Sequence, residues 1–311
     1  MTEVWSIVIP TYHRPKLLRK ALSSCRAQKL GEMQTIEVVV VDNSPEGNAA
    51  DTCQALQMDN LRYVHEPRAG LVFARNSGIE AASGDFLAFL DDDEEAEEDW
   101  ILELSIAFRK SGADIVCGAV LPKLEDPAIE HYRYVTNFYS RDVSRPAYAD
   151  IGDILNYVGT GNSAFRRPVC FGDGVRFDPR FNHFGGEDIE LFRSLKRKGH
   201  HFAWAPNAKV HEWVSKERTG FSYLRQRRRA QGQQRVDGLW RSGLWGRVQV
   251  PLFMLGGGGQ AALHSLRWLF HSFAGNKVQM QLDTIEAQGG LGKIFWIGAA
   301  RQKRYGASVY E

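Results

Sequence analysis

An α/β fold, with a mainly parallel central sheet flanked by helices, is the class this sequence predicts, on three observations. Short apolar runs alternate with helix-patterned segments from Val4 to Val120, as expected when each strand of a parallel sheet is followed by a covering helix. The run Phe86-Leu87-Ala88-Phe89-Leu90 passes directly into Asp91-Asp92-Asp93-Glu94, at the end of a strand where open α/β sheets keep their ligand sites. The 311 residues, 43% hydrophobic and 24% charged, are ordinary globular usage and suit one principal domain with a smaller appendage.

In chain order, Val4 to Pro10 reads as the first strand and Pro15 to Gln28 as a helix with proline in its first turn. Ile36 to Val41 is the second strand, and a polar helix follows through Met58. Leu61 to His65, Val72 to Ala82, Phe86 to Leu90, Glu97 to Lys110 and Ile115 to Val120 continue the alternation, so residues 1–121 form a Rossmann-like, nucleotide-binding half. From Lys123 to Asp150 the periodicity fades into a stretch bearing prolines and tyrosines, read as an irregular insertion or mobile loop. Order returns from Tyr157 to Phe165, and a Gly185-Gly186 turn opens a helix from Glu187 to Lys198 that Gly199 closes. Beyond Gly220 the composition shifts to arginine, tryptophan and glycine, and residues 218–311 are expected to form a helical appendage.

Charge and cysteine usage narrow the classes. A formal net charge of +2 gives no general footprint for nucleic acid, although acids crowd between Asp91 and Asp99 and bases follow Arg218. Cys25, Cys53, Cys117 and Cys170 lie far apart without a CxxC pair, which fits reduced thiols in a cytoplasmic setting and not a zinc site. The opening MTEVWSIVIP lacks the pattern of a secretory leader. No apolar stretch reaches the ~20 residues of a membrane-spanning helix, since Val248 to Phe273 carries Gln260, His264 and Arg267.

Several clusters carry chemistry. Adjacent carboxylates at a strand end repel one another, and a hard divalent cation, Mg²⁺ or Mn²⁺, offsets that repulsion through oxygen ligands; the run also reads as a solvated acidic turn with capping aspartates. In Gly185-Gly186-Glu187-Asp188 the glycines allow close backbone approach, and two acids open a helix where the macrodipole favours them. Capping explains those acids by itself; beside a metal site, one becomes a general base for an acceptor hydroxyl. His211 is open to a structural role or to one as a ligand of metal or diphosphate. Gln226-Arg227-Arg228-Arg229 suits a diphosphate leaving group or anionic lipid headgroups.

Taken in order, these segments resemble the GT2 family of GT-A fold glycosyltransferases over roughly residues 4 to 215. Ser6-Ile7-Val8-Ile9-Pro10-Thr11-Tyr12-His13-Arg14 is similar to that family's opening strand and base-side loop, which implies donor contacts from Pro10, Thr11, Tyr12 and Arg14. Glu37 to Ser44 resembles its second strand, implying that Asp42 reads the nucleobase. Gly70 with Ala74-Arg75-Asn76-Ser77-Gly78 is similar to the loop and helix beside the diphosphate and ribose, implying roles for Gly70, Arg75 and Asn76. Gly84 to Asp93 resembles the segment ending in the DXD motif, implying that Asp91 and Asp93 hold the metal, with Asp92 beside the donor. Gly185-Gly186-Glu187-Asp188 resembles the acceptor-side ED motif, implying Asp188 as catalytic base, and His211 aligns with a histidine that completes the metal or diphosphate site. The resemblance implies a GT-A catalytic domain over residues 1–217, with residues 122–217 as its acceptor half. It also implies a nucleotide-sugar donor, with a lean to UDP, and a glycan or lipid-linked acceptor. Gln226 to Ala230 departs from the QxxRW signature of processive synthases, because Ala230 stands where tryptophan would be.

Two other classes are weighed. A sugar-1-phosphate nucleotidyltransferase should place a glycine-rich loop after its first strand, whereas Pro10 to Arg14 has no glycine. A non-catalytic nucleotide-sugar or glycan-binding module would make Glu187 and Asp188 dispensable. For the Arg- and Trp-bearing tail, the expectations are a helix at an anionic membrane surface, peripheral to the inner face of the cell membrane, or ordinary packing on the core.

Overall fold

The computed structural model describes residues 2–182 and 185–297. Its strands are β1 (Glu3–Thr11), β2 (Gln34–Asp42), β3 (Leu61–His65), β4 (Phe86–Phe89), β5 (Glu94–Ala96), β6 (Ile115–Leu124), β7 (Ser163–Arg166) and β8 (Phe202–Val214). They form one eight-stranded sheet in the order β3-β2-β1-β4-β7-β6-β8-β5. The first four are parallel, as are β6 and β8, while β7 and β5 run antiparallel to their neighbours. The Rossmann-like half and the mainly parallel sheet expected from the sequence are therefore present.

The helices are α1 (Pro15–Arg26), α2 (Ala50–Ala55), α3 (Leu71–Ala81), α4 (Trp100–Ser111), α5 (Tyr132–Tyr139), α6 (Arg167–Phe171), α7 (Glu187–Arg197), α8 (Lys216–Thr219), α9 (Phe221–Arg241), α10 (Leu244–Phe273) and α11 (Lys277–Ile294). Helices cover both sheet faces, which is why the central strands read as unbroken apolar runs. Alternate strand residues go to opposite layers. Trp5, Ile7, Ile9, Val38 and Val40 meet Leu18 and Leu22 of α1 and Trp100, Leu104 and Phe108 of α4. Val8, Val39 and Val41 meet Val72 and Ile79 of α3 and Leu191, Phe192 and Leu195 of α7.

The stretch from Lys123 to Asp150, expected to be irregular, contains α5. The buried side chains of α5, Val135 and Tyr139, pack with Leu124, Val214, Leu224 and Ile285. Leu224 and Ile285 of that cluster come from α9 and α11, far downstream in the chain, and Val214 from β8, so the local pattern carries little periodicity. The acidic run likewise holds more structure than a turn: Glu94 to Ala96 pairs with β8 as the edge strand β5.

The C-terminal helices pack through glycine. A Cβ placed on Gly257 of α10 would come within 2.7 Å of the Gly290 carbonyl oxygen of α11, and one on Gly232 of α9 would sit 3.0 Å from the Lys293 nitrogen. Asp283 of α11, 2% exposed, pairs with His264 Nδ1 at 2.8 Å and His271 Nδ1 at 2.7 Å, both on α10. Large apolar side chains of α10 face outward instead, among them Trp245 (82% exposed) and Phe273 (92%). No helix among the described residues is long and apolar enough to cross a membrane.

Candidate active site

A cavity of about 750 Å³ opens at the carboxyl ends of β1 and β4 and is closed on its far side by α5, α9 and α11. Pro10, Thr11, Tyr12, Arg14, Gly70, Arg75, Asp91, Asp92, Asp93, Gly186, Glu187 and Asp188 line it. The segments read as donor-side and acceptor-side thus meet around one space, although Arg75 and Glu187 lie 112 residues apart.

The acidic end is cross-braced by arginine. Thr11 Oγ1 donates to Asp92 at 2.8 Å, and Arg14 Nη1 bridges Asp92 and Asp93, each at 3.1 Å. Arg218 pairs with Asp93 at 2.9 Å and also with Glu212. Arg75 pairs with Glu187 at 2.9 Å and reaches Asp91 at 3.3 Å. Asp91 is the most open of the three aspartates, its side chain 31% exposed against 8% for Asp92 and 11% for Asp93.

Acids still outnumber cations there. Six carboxylates (Asp91, Asp92, Asp93, Glu187, Asp188 and Glu212) line this end against the four guanidiniums of Arg14, Arg75, Arg141 and Arg218. Burial pushes the Asp93 carboxyl up to about 7, with Glu212 adding to the rise and Arg218 opposing it. Burial also raises Asp92 and lifts Glu94 well above its ordinary value, the latter helped by Asp91. Glu212 moves the other way: burial would raise it, but Arg218 and Arg141 outweigh that and hold it low.

A loop across residues 158–162 passes directly over these carboxylates. Asn162 anchors it, donating to the Ala119 and Ala208 carbonyls at 2.9 and 2.8 Å and accepting from Trp100 Nε1 at 2.8 Å. A Cβ on Gly161 would come within 2.8 Å of Glu94 Oε1 and 2.9 Å of Asp91 Oδ2. One on Gly159 would lie 2.5 Å from Arg141 Nη1 and 3.2 Å from Asp188 Oδ2. A larger residue at either position would have to displace these charged groups, and glycine leaves them where they stand. Gly185 and Gly186, with φ of 72° and 89°, adopt the left-handed turn that presents Asp188 at the start of α7.

Four residues singled out from the sequence lie away from the cavity lining. The Asp42 carboxylate is turned into the chain after β2, where Ser44 N, Ser44 Oγ and Ala49 N donate to it at 2.9, 2.7 and 2.6 Å and Tyr63 OH at 3.1 Å; its neighbour Asn43 faces the cavity instead. Asn76 clamps the backbone of Phe177 through two bonds of 2.9 Å. Gly185 supports the turn behind Gly186. His211 alternates with Glu212 along β8, so when Glu212 faces the acids, His211 points to the opposite face and pairs with Glu97 at 3.1 Å. Sequence reading passed over Gly159, Gly161, Arg141, Glu212 and Arg218; the Gly-x-Gly spacing and the single arginine ending α8 were the available signals.

The residues fit a divalent cation in their chemistry. They offer oxygen donors only, and they concentrate buried negative charge that protons otherwise take up. Among the described residues no three side chains of ligand type converge on one point, so an ion held by Asp91 and Asp93 would take further ligands from phosphate oxygens and water, as Mg²⁺ commonly does.

A mainly parallel sheet whose strand ends meet a helix-borne carboxylate in one arginine-braced cavity is the arrangement of a GT-A fold. The model for Glycosyl transferase family 2 matches residues 6–171, and this chain belongs to that family. It is an enzyme of the glycosyltransferase type. It is 34% identical over 230 residues to the succinoglycan biosynthesis protein ExoM of Rhizobium meliloti, covering 73% of this chain and 72% of that protein. The glycosyltransferase GlyG of Streptococcus pneumoniae is 32% identical over 38% of this chain and 39% of its own length. Chondroitin synthase of Escherichia coli is 28% identical over 63% of this chain but only 33% of its own. S. aureus TarS, solved in complex with UDP-GlcNAc, superposes with a TM-score of 0.56 at 13% identity, over 91% of this chain and 90% of that one; the likeness is one of fold.

Proposed function

We propose that this enzyme transfers a sugar from a nucleoside diphosphate donor to an acceptor hydroxyl by direct displacement, with Asp188 as the base. The observation carrying this is that Asp91 and Asp188 touch opposite ends of the same loop, at Gly161 and Gly159, inside one cavity. The donor lies along Pro10, Thr11, Tyr12, Asn43 and Gly70, with its diphosphate toward Asp91 and Asp93. Asp91 and Asp93 would hold Mg²⁺ or Mn²⁺, which when bound would offset the charge developing on the departing diphosphate. Asp188 takes the proton from the acceptor hydroxyl as that oxygen attacks the anomeric carbon from the face opposite the leaving group, which inverts the centre. Arg75, Arg14 and Arg218 keep the aspartates oriented, and the Gly159–Gly161 backbone keeps bulk away from the attack path.

Asp188→Asn should cut turnover by roughly 10²–10⁴-fold, the worth of a positioned base, while nucleoside diphosphate affinity stays near wild type. Screening nucleotide sugars for release of nucleoside diphosphate measures it, and an Asp188→Asn enzyme of near-normal turnover refutes the assignment. Asp93→Ala should remove the Mn²⁺-dependent part of nucleoside diphosphate binding in calorimetry run with and without the ion. Equal affinities in both conditions, already in the wild type, would sink the metal role.

Likeness to ExoM, a succinoglycan biosynthesis protein, supports a growing polysaccharide or lipid-linked glycan as acceptor. The outward apolar side chains of α10, flanked by Arg241, Arg247 and Arg267, support seating on an anionic membrane surface. Vesicles containing anionic lipid should carry the protein into the pellet, and a chain left in the supernatant argues for ordinary packing alone.

A further inference from the structure

The end of the cavity remote from the acids carries the opposite charge. Arg228, Arg235 and Lys293 line it. Arg228 is answered by Glu286 at 2.7 Å, and Glu286 also accepts from Tyr134 OH at 2.8 Å. Arg227 lies nearer the middle of the cavity, donating to Tyr223 OH at 3.2 Å, resting 5.1 Å over the Tyr139 ring and helping to hold the Glu212 carboxyl low; Arg235 forms no ion pair with a carboxylate among the described residues and lies 5.6 Å over Tyr157. Lys293 Nζ donates to the neutral Gln260 at 2.7 Å, and burial, together with Arg235 and Arg228, lowers its pKa.

Aromatic rings and amides hold these cations, which leaves guanidinium edges open to an anion. Several cations around one space suit a phosphate, with its multiple oxygens, better than a single carboxylate. The donor's own diphosphate belongs at the other end, beside Asp91. Tyr157, beneath Arg235, is two residues from Gly159, which abuts Asp188, so the two ends share one continuous wall.

We propose that this basic wall binds a phosphate or diphosphate group of the acceptor, seated so that a hydroxyl of the same molecule reaches Asp188. The proposal rests on Asp188 being the base, but its test does not. Full-length enzyme, in EDTA and without donor, is titrated calorimetrically with hexyl phosphate, hexyl diphosphate and hexyl glucoside. Arg235→Gln and Lys293→Gln should each weaken the two phosphates about tenfold, the worth of one charge-assisted contact. Glucoside binding should not change, and Arg235→Lys should recover most of the loss. Matching thermal midpoints show that the variants are folded. Equal phosphate affinity in wild type and the double variant overturns the proposal. So does a double variant that keeps hexyl phosphate binding but no longer sediments with phosphatidylglycerol vesicles, which assigns the cations to lipid headgroups. Phosphate binding without donor turnover would instead count against the transferase mechanism alone.

Discussion

The two ends of the cavity solve the same electrostatic problem in different ways. At the sheet end, Arg14, Arg75 and Arg218 are each in direct contact with carboxylates, so removing one partner strands another. At the helical end, Arg235 rests on the Tyr157 ring and Lys293 on the Gln260 amide, and neither forms an ion pair with a carboxylate among the described residues. Charge at the first end is part of what holds the chain together, and charge at the second is available for a ligand. Paired buried charges are costly to break and unpaired peripheral ones are not.

Stability measurements can break this contrast. Arg75→Met leaves Glu187, 4% exposed, buried without its arginine, and should cost roughly 3–5 kcal/mol in denaturant unfolding, as expected for one lost partner of a buried pair. Glu66→Gln should have an intermediate effect. The Arg68 side chain donates to Glu66 at 2.8 and 2.6 Å and Ser77 at 2.6 Å, and the hydrogen bond from Arg68, against the opposing effect of burial, lowers the Glu66 pKa from 4.5 to about 2. A depressed carboxyl stabilises the fold above its unfolded pKa and loses that contribution as pH falls. The variant should therefore be about 1–2 kcal/mol less stable at pH 7, and the gap should close as pH falls from about 4.5 toward about 2. The smallest effect belongs to Arg235→Gln, expected within about 0.5 kcal/mol of wild type in the same unfolding experiment. A loss there as large as at Arg75 would erase the distinction between the two ends.

The same contrast explains what the sequence made legible. Strand-end segments such as Gly84 to Asp93 are contiguous, and the sheet's parallel order delivers them to one edge, so their meeting followed from topology. Two orientations could have been read and were not. Asp42 is followed two residues later by Ser44, an arrangement that favours a local turn bond over a free carboxylate. His211 and Glu212 are neighbours on a strand, so only one can face the site. Arg141 and Arg218 left weaker signals, because Arg218 reaches Asp93 across 125 residues and Arg141 lies in the stretch where the periodicity fades. Arg218, carried on α8, is a side chain that belongs to the acidic end of the cavity.

The glycines between α9, α10 and α11 bring backbone against backbone, so the contact is made by close van der Waals approach and by polar ties such as Asp283 with its two histidines. Soluble helix bundles are usually held by driving water from facing leucines; here many of the leucines point outward. Adhesion of this kind does not weaken when the medium outside is as apolar as the helix face itself. The three helices can therefore hold their arrangement, and the shape of the cavity wall they form, whether water or hydrocarbon lies against α10.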